Sequence, residues 1–230
     1  MKRYLITGAS RGIGRAIAVK LASADTTLFV HGRNQQALSR TVRTVAENNG
    51  DAVPLAYDLG DVAQLRRMIA EIGEEPLDGL INNAGVALVK PFDAITAREW
   101  QAAFAINVTA PFLLTQKLSR FMKPGASIVN ILSIAAKTGF PNWSGYCMTK
   151  FALEGFSRAV REELRPRGIR VINVYPAATN TEIWDDVEGT WPREKMLLPV
   201  EIGDAVAYAL SRPAAVAVEN IDILNLTGRL

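Results

Sequence analysis

The chain has 230 residues, 49% of them hydrophobic and 21% charged, enough apolar material for one core that buries roughly 70–75% of the unfolded surface. Its 26 Lys and Arg against 23 Asp and Glu leave a formal charge of +3, spread along the chain, which argues against nucleic acid as a partner. One cysteine excludes an internal disulfide, and one histidine excludes multi-histidine metal sites, so no metal is expected. In chain order, Tyr4–Ile6 is a short apolar strand that stops at Thr7-Gly8. A helix follows from about Ile13 to Leu21, with Ile13, Ala16, Ile17 and Leu21 on one face. Thr27–Val30 is strand-like, and Asn34 is placed to cap the next helix. Ala52–Tyr57 reads as a third strand, Asp61 as the cap of a helix through Ile72, and Leu77–Ile81 as a fourth strand running into Asn82-Asn83-Ala84-Gly85. A long helix is expected over 97–122, then a strand over 127–132, a helix over 144–164 and a strand over 170–175. A helix near 200–210 and a last strand over 221–226 complete the chain.

Continuous apolar strands alternating with helices imply a parallel sheet covered on both sides. The expectation is an α/β fold: one domain over residues 1–230, a Rossmann-like doubly wound parallel sheet of about seven strands with helices on both faces. Residues 177–198 break the pattern with Pro, Gly, Thr and two Trp in no clear period, as expected of a loop or short-helix insertion, where lids tend to lie. The start of the chain shows no secretory leader and no apolar run reaches about 18 residues, so a soluble, cytoplasmic protein without a membrane partner is expected.

The stretch Thr7-Gly8-Ala9-Ser10-Arg11-Gly12-Ile13-Gly14 joins the first strand to the first helix. Gly8 permits a tight turn, Gly12 lets the backbone approach phosphate oxygens, and Gly14 lets the helix pack closely on the sheet. The free N–H groups of that helix would attract a pyrophosphate; a glycine turn needed only for packing is the plain alternative. After the second strand, where a carboxylate would hold a free adenosine ribose, the chain has His31-Gly32-Arg33-Asn34. Arg33, with Arg11, can neutralise a 2′-phosphate, which favours NADP(H) over NAD(H). Taken alone, Arg33 reads equally as a surface arginine before a helix.

Tyr146 and Lys150, at i and i+4, share one face near the start of a helix, and an ammonium there would lower the pKa of the phenol. Ser133 ends the preceding strand at its carboxyl end, where its hydroxyl can meet a carbonyl oxygen. Such a Tyr–Lys pair is also common as surface or packing. Asn107 sits mid-helix, four residues before Pro111, which lacks the N–H that would bond the carbonyl of residue 107. That carbonyl is then free to hold a water, or the pair simply makes a kink.

Together these residues resemble the short-chain dehydrogenase/reductase family over nearly the whole chain. The motifs are Thr7-Gly8-x-x-x-Gly12-x-Gly14, Asp58-Leu59, Asn82-Asn83-Ala84-Gly85, Asn107, Ser133 and Tyr146-x-x-x-Lys150, in the family's order. The resemblance implies reversible hydride transfer between a nicotinamide and a small carbonyl or alcohol. Tyr146 would be the general acid/base, Ser133 would stabilise the developing charge, Lys150 would hold the nicotinamide ribose, and Asn107 would position a relay water. Cofactor contacts would come from Gly8, Ser10, Arg11, Gly12, Ile13, Gly14, Arg33 and Asn34. Asp58 and Leu59 would meet the adenine, and Asn83, Ala84 and Gly85 would line the adenosine and ribose side. Tyr146, Lys150, Pro176 and Thr181 would complete the set around the nicotinamide. The chain departs from the family at Pro176-Ala177, where glycine usually follows the proline, so a slightly different backbone path is expected there.

Substrate contacts are expected from Ser133, Ala135, Trp143, Tyr146 and Trp184, with Ile134 and Phe140 nearby. Trp184 and Trp191 would form an apolar wall or else anchor the lid, while Arg193 or Lys195 would meet an anionic group. Cys147 reads as a small buried hydrophobe and His31 as a polar strand-end residue without catalytic work. The resemblance also implies a homodimer or homotetramer packed through the helices near 97–122 and 144–164. The alternative is a catalytically silent dinucleotide sensor on the same fold. A nucleotide-sugar epimerase would need a larger carboxyl-terminal region than follows Tyr175.

Overall fold

The computed structural model describes residues 1–226. Seven strands, β1 (Lys2–Ile6), β2 (Thr26–Gly32), β3 (Asp51–Ala56), β4 (Leu77–Asn82), β5 (Met122–Ile131), β6 (Arg170–Pro176) and β7 (Asn220–Ile223), form one sheet in the order β3-β2-β1-β4-β5-β6-β7. Every neighbouring pair is parallel. The helices are α1 (Gly12–Leu21), α2 (Gln35–Glu47), α3 (Val62–Ile72), α4 (Ala97–Phe104), α5 (Ala110–Leu118), α6 (Ser144–Leu164) and α7 (Pro199–Leu210).

The two-residue period of the strands sorts the core. Tyr4, Ile6, Leu28, Val30, Val129 and Val174 face α1, α2 and α7, meeting Ile17, Leu38, Val45 and Val206. Leu5, Phe29, Leu55, Leu80, Ile128 and Val171 point the other way, against Leu65 and Met68 of α3 and Leu114 and Leu118 of α5. Asn34 and Asp61 cap α2 and α3 as expected, accepting the N–H groups of Ala37 and of Ala63 and Gln64. The strand order reverses direction between β1 and β4, which opens a crevice at the carboxyl ends of these strands.

Three expectations move. The helix over 97–122 is broken by a π turn at Ala105–Thr109, where the Ala110 N–H reaches the Ala105 carbonyl. Pro111 has no N–H for the carbonyl of Asn107, so the chain takes the wider register before regular helix resumes. That helix ends at Leu118, and β5 starts at Met122 rather than 127, with Pro124-Gly125 lying within the strand. The last strand is Asn220–Ile223 rather than 221–226.

A buried polar ladder crosses the sheet. Asn82, Asn130 and Asn173 are register partners on β4, β5 and β6. Asn82 Nδ2 donates to Asn130 Oδ1 at 2.8 Å, Asn130 Nδ2 to Ser157 Oγ at 2.9 Å, and Ser157 Oγ to Asn173 Oδ1. Asn173 continues to the Tyr175 hydroxyl, which donates to Glu154. A one-residue slip would strand every member without a partner, so the ladder fixes register as well as adding stability. Among the described residues no helix is long and apolar enough to cross a membrane, and no cluster of three His, Cys, Asp or Glu could hold a metal. Asn130→Ala should lower the unfolding free energy by about 2–4 kcal/mol, since it leaves the Asn82 amide and the Ser157 hydroxyl each one partner short in the core. Urea unfolding with an unchanged slope measures it; a loss below about 0.5 kcal/mol would show the ladder to be dispensable.

Candidate active site

A cavity of about 470 Å³ runs along the crevice from the glycine-rich turn to the segment after β6. At one end, α1 begins without a side-chain cap and without an acidic residue in its first turn, whereas α2, α3 and α4 each close on a side chain. The N–H groups at its start therefore keep their partial positive charge for a ligand. Gly12 has φ of +55°, and a Cβ there would stand 3.1 Å from Thr181 Cγ2. At Gly14 a Cβ would come within 2.4 Å of the Gly8 carbonyl oxygen; Gly14 thus lies under the turn rather than in the cavity lining.

Side chains from β4 and β2 hold the turn in place. Thr7 Oγ1 accepts the N–H groups of Asn83 and Ala84, both at 3.0 Å, and Asn83 Nδ2 donates to the carbonyls of Thr7 and Gly8 at 2.9 and 3.1 Å. The Gly8 N–H donates to His31 Nδ1 at 3.2 Å, while His31 Nε2 donates to the Tyr57 carbonyl at 3.1 Å. Both ring nitrogens are thus assigned, and burial pushes the His31 pKa down to about 4, so the ring is neutral. Sequence reasoning left His31 without work. The available signal was a lone polar side chain at the end of β2, level with the glycine turn.

Ser10, Arg11, Ile13, Arg33, Asp58, Leu59, Asn83, Ala84 and Gly85 all line the cavity. Arg33 is exposed and has no hydrogen-bond or ion-pair partner among the described residues. Arg11 leans toward Asp186 at 3.9 Å with both side chains well exposed. Asp58 Oδ1 accepts the Gly60 N–H at 2.8 Å. Asn34 lies outside the lining, its side chain spent on capping α2.

At the middle of the cavity Ser133, Tyr146 and Lys150 come together. Ser133 lies two residues past β5 with an extended backbone, its Oγ accepts the Ala135 N–H at 3.1 Å, and its side chain lies on the Tyr146 side of the cavity, where it lowers the pKa of the phenol. Lys150, one turn along α6 and buried, donates to the Ile131 carbonyl at 2.9 Å with Nζ 5.5 Å from the Tyr146 ring centre. Burial pushes the phenol up to about 12 against the Ser133 side chain, which lowers it; burial pushes the ammonium down to about 8. Desolvation therefore outweighs the phenol-lowering effect expected of the lysine.

Asn107 is buried and does not line the cavity. Its side chain clamps the backbone of Val86 through two bonds of 2.9 Å and donates to Thr149 Oγ1 at 3.0 Å; Thr149 in turn donates to the Tyr146 carbonyl at 2.8 Å. Thr149, missed in the sequence, links Asn107 to the first turn of α6. A Cβ on Gly85 would lie 3.4 Å from Asn107 Oδ1 and 3.9 Å from Lys150 Nζ, so the two residues flank one stretch of backbone.

Pro176 and Thr181 line the cavity beyond β6. Ala177 keeps a negative φ and its N–H pairs with the Ile223 carbonyl at 2.8 Å, so the alanine extends the ladder to β7. Arg193 lies outside the cavity lining: its guanidinium donates to Asn180 Oδ1, to the Thr181 carbonyl and to Asp185 at 3.1, 2.8 and 2.6 Å, which ties the segment to itself. Lys195 is also outside the lining. Ala135, Trp143 and Trp184 face the cavity as expected, with Ile134, Phe140 and Trp191.

Comparison with known proteins gives a consistent result. The short chain dehydrogenase family profile matches residues 2–190. An L-2,3-butanediol dehydrogenase of Corynebacterium glutamicum is 34% identical over 81% of this chain and 75% of its own length. Among solved structures, an alcohol dehydrogenase from the archaeon Thermococcus sibiricus, complexed with 5-hydroxy-NADP, superposes with a TM-score of 0.89 at 25% identity, covering 100% of this chain and 99% of that one. A landomycin C-6 ketoreductase with bound NADP and rabelomycin gives 0.85 at 29% identity, covering 96% and 94%.

The neutral state of His31 has a measurable consequence. The unfolded chain takes up a proton near pH 6.5 that the folded chain refuses until about pH 4, so this residue should cost the fold about 2–3 kcal/mol as pH falls through that window. His31→Gln keeps a donor and an acceptor but does not titrate. The stability difference between the two proteins, followed by denaturant unfolding at pH 7.5 and 4.5, should shift by that amount in favour of the variant at the lower pH; parallel pH curves would refute it.

Proposed function

Because this chain belongs to the short-chain dehydrogenase/reductase family, an oxidoreductase family, we propose that it transfers hydride between NADP(H) and a small carbonyl or alcohol, with Tyr146 as general acid and base. The observation that carries this reading is the convergence of Ser133, Tyr146 and the buried Lys150 on the middle of the cavity that starts at the glycine turn. When bound, the dinucleotide supplies the hydride and accepts it back. The uncapped start of α1 and the cradle at Gly12 suit its pyrophosphate, and no carboxylate stands at the end of β2 to hold a free adenosine ribose. Arg33 and Arg11 would hold a 2′-phosphate, which favours NADP(H) over NAD(H). Asp58 and Leu59 would meet the adenine, Lys150 the ribose hydroxyls, and Pro176 to Thr181 the carboxamide side.

The proton chemistry follows from the environment. Tyr146 keeps its proton through neutral pH and can deliver it to a carbonyl oxygen, while the Ser133 hydroxyl orients that oxygen and stabilises its growing charge. Lys150, with a pKa near 8, is the group able to restore charge and proton in the physiological range. Asn107 acts through Thr149 and Val86 by holding α6 and the loop after β4 in register. Residues 1–230 would work as one domain, with 177–198 as its lid. A silent dinucleotide sensor would have no need of the Ser133–Tyr146 pair.

Tyr146→Phe should cut NADPH-dependent ketone reduction by about 10²–10⁴-fold while leaving NADPH binding within about twofold. In the parent protein the reduction rate should fall as pH rises through about 8, where Lys150 loses its charge, with the phenol still protonated. NADPH binding without turnover across aldehydes, ketones and diketones would instead favour the sensor.

Arg33→Asp should weaken NADPH at least tenfold and NADH less than about twofold, since a hydrogen-bonded guanidinium–phosphate contact contributes about 1.5–3 kcal/mol. Equal effects on the two cofactors, measured by titration, would refute the phosphate role.

A further inference from the structure

Beyond Tyr146 the cavity ends in a group of aromatic rings. The Trp143 ring lies edge-on to Tyr146, Trp184 and Trp191, with centroids 5.6, 5.7 and 6.1 Å away, and Trp184 and Trp191 are 4.7 Å apart. The indole N–H groups of Trp184 and Trp191 are spent on the carbonyls of Thr179 and Val187, at 2.9 and 3.3 Å. The rings are thus held by backbone bonds and offer only apolar faces and edges to the cavity. Anchoring of the segment falls to other residues: Val187, Met196 and Leu197 are 6%, 5% and 6% exposed, whereas all three tryptophans stay partly exposed. Large aromatic surface left open beside a reacting group is surface for a ligand.

Ala135, Phe140 and Ile183 complete this end, Glu182 in the same lining carries its carboxylate toward Gly12, and Arg193 is tied to the backbone and Asp185, so no cation faces the indoles. A substrate carboxylate or phosphate buried here would lose its water and gain no partner, a large penalty. A small aliphatic carbonyl would cover little of the three indoles. A flat aromatic ring beside a neutral carbonyl matches both the shape and the lack of a cation.

Resting on the oxidoreductase reading above, we propose that the substrates are neutral aromatic ketones, whose ring is gripped by Trp143, Trp184 and Trp191 while the carbonyl meets Tyr146 and Ser133. In the reduction, the hydride electron pair from NADPH forms the new C–H bond as the C=O π bond breaks, and the Tyr146 proton completes the alcohol. NADP⁺ would be the oxidised product, and the phenolate would regain its proton by way of Lys150, which solvent reprotonates.

The test compares 1-phenyl-1,2-propanedione with 2,3-butanedione, two activated diketones that differ by a phenyl ring, and acetophenone with 4-acetylbenzoate, which differ by a carboxylate. NADPH-dependent kcat/KM should be at least about 30-fold higher for the phenyl diketone and at least about tenfold higher for the neutral member of the second pair. Trp184→Leu and Trp191→Leu should each lower the phenyl-to-methyl ratio about tenfold. Calorimetric titration of acetophenone into the NADP⁺ complex gives a readout independent of turnover, and its affinity should drop in the same variants. Equal efficiency on both diketones, or a ratio and an affinity that neither variant changes, would overturn the aromatic assignment and leave the oxidoreductase reading standing. Failure to reduce any of the four compounds, in a protein that binds NADPH, would overturn that reading and this proposal with it.

Discussion

The hydrogen bonds between the ends of β1 and β4 are the constraint on which the site depends. The chain leaves these neighbouring strands in opposite directions, so the backbone groups at their carboxyl ends lose the next ladder partner. Thr7 and Asn83 supply the missing partners side by side, each using its side chain on the other strand's backbone. His31 adds a third tie from β2 by accepting the Gly8 N–H. The glycine turn therefore keeps its shape without a ligand, and the start of α1 stays open because none of these side chains bends round to cap it.

A second consequence of burial appears in the proton-carrying pair. Tyr146 and Lys150 sit in the same low-dielectric wall, and desolvation moves both toward their neutral forms, the phenol up and the ammonium down. The helical spacing alone suggested a simple ion–phenol effect. The carbonyl of Ile131 accepts the ammonium's bond, and Ser133 rather than Lys150 is the group that lowers the phenol's pKa. The phenol is protonated at neutral pH, but burial makes it a weak acid, and only added positive charge beside it would bring its pKa back toward neutrality.

Much of this architecture was legible in the sequence. Apolar strands of even length alternating with capped helices led to the seven-stranded parallel sheet, and the i, i+4 spacing placed Tyr146 over Lys150 on α6. The misses share a physical cause: polar or turn-forming residues whose partners lie on other strands. Pro124-Gly125 marks a turn locally but sits in β5, where Gly125 bonds the Gly168 carbonyl. Asn82 stands at the end of its strand while Asn130 and Asn173 fall inside theirs, and only the register shows that they line up. Arg193 read as a ligand for an anion because the nearby Asn180 and Asp185, which take its charge and donors, are placed there by the fold of the segment itself.

That self-tied segment also connects the two ends of the cavity. Thr181 packs on Gly12 at the phosphate end, Asp186 reaches toward Arg11, and Trp184 between them faces Trp143 above the phenol. The Arg11–Asp186 pair is long and exposed, so it contributes at most about 1 kcal/mol and its loss costs little if Arg11 turns to a phosphate. Arg193, by contrast, holds residues 180, 181 and 185 together as one piece. A push at Thr181 would therefore reach Trp184 through a short rigid span rather than be absorbed along it. The same few residues thus fix the position of the aromatic wall relative to the glycine turn.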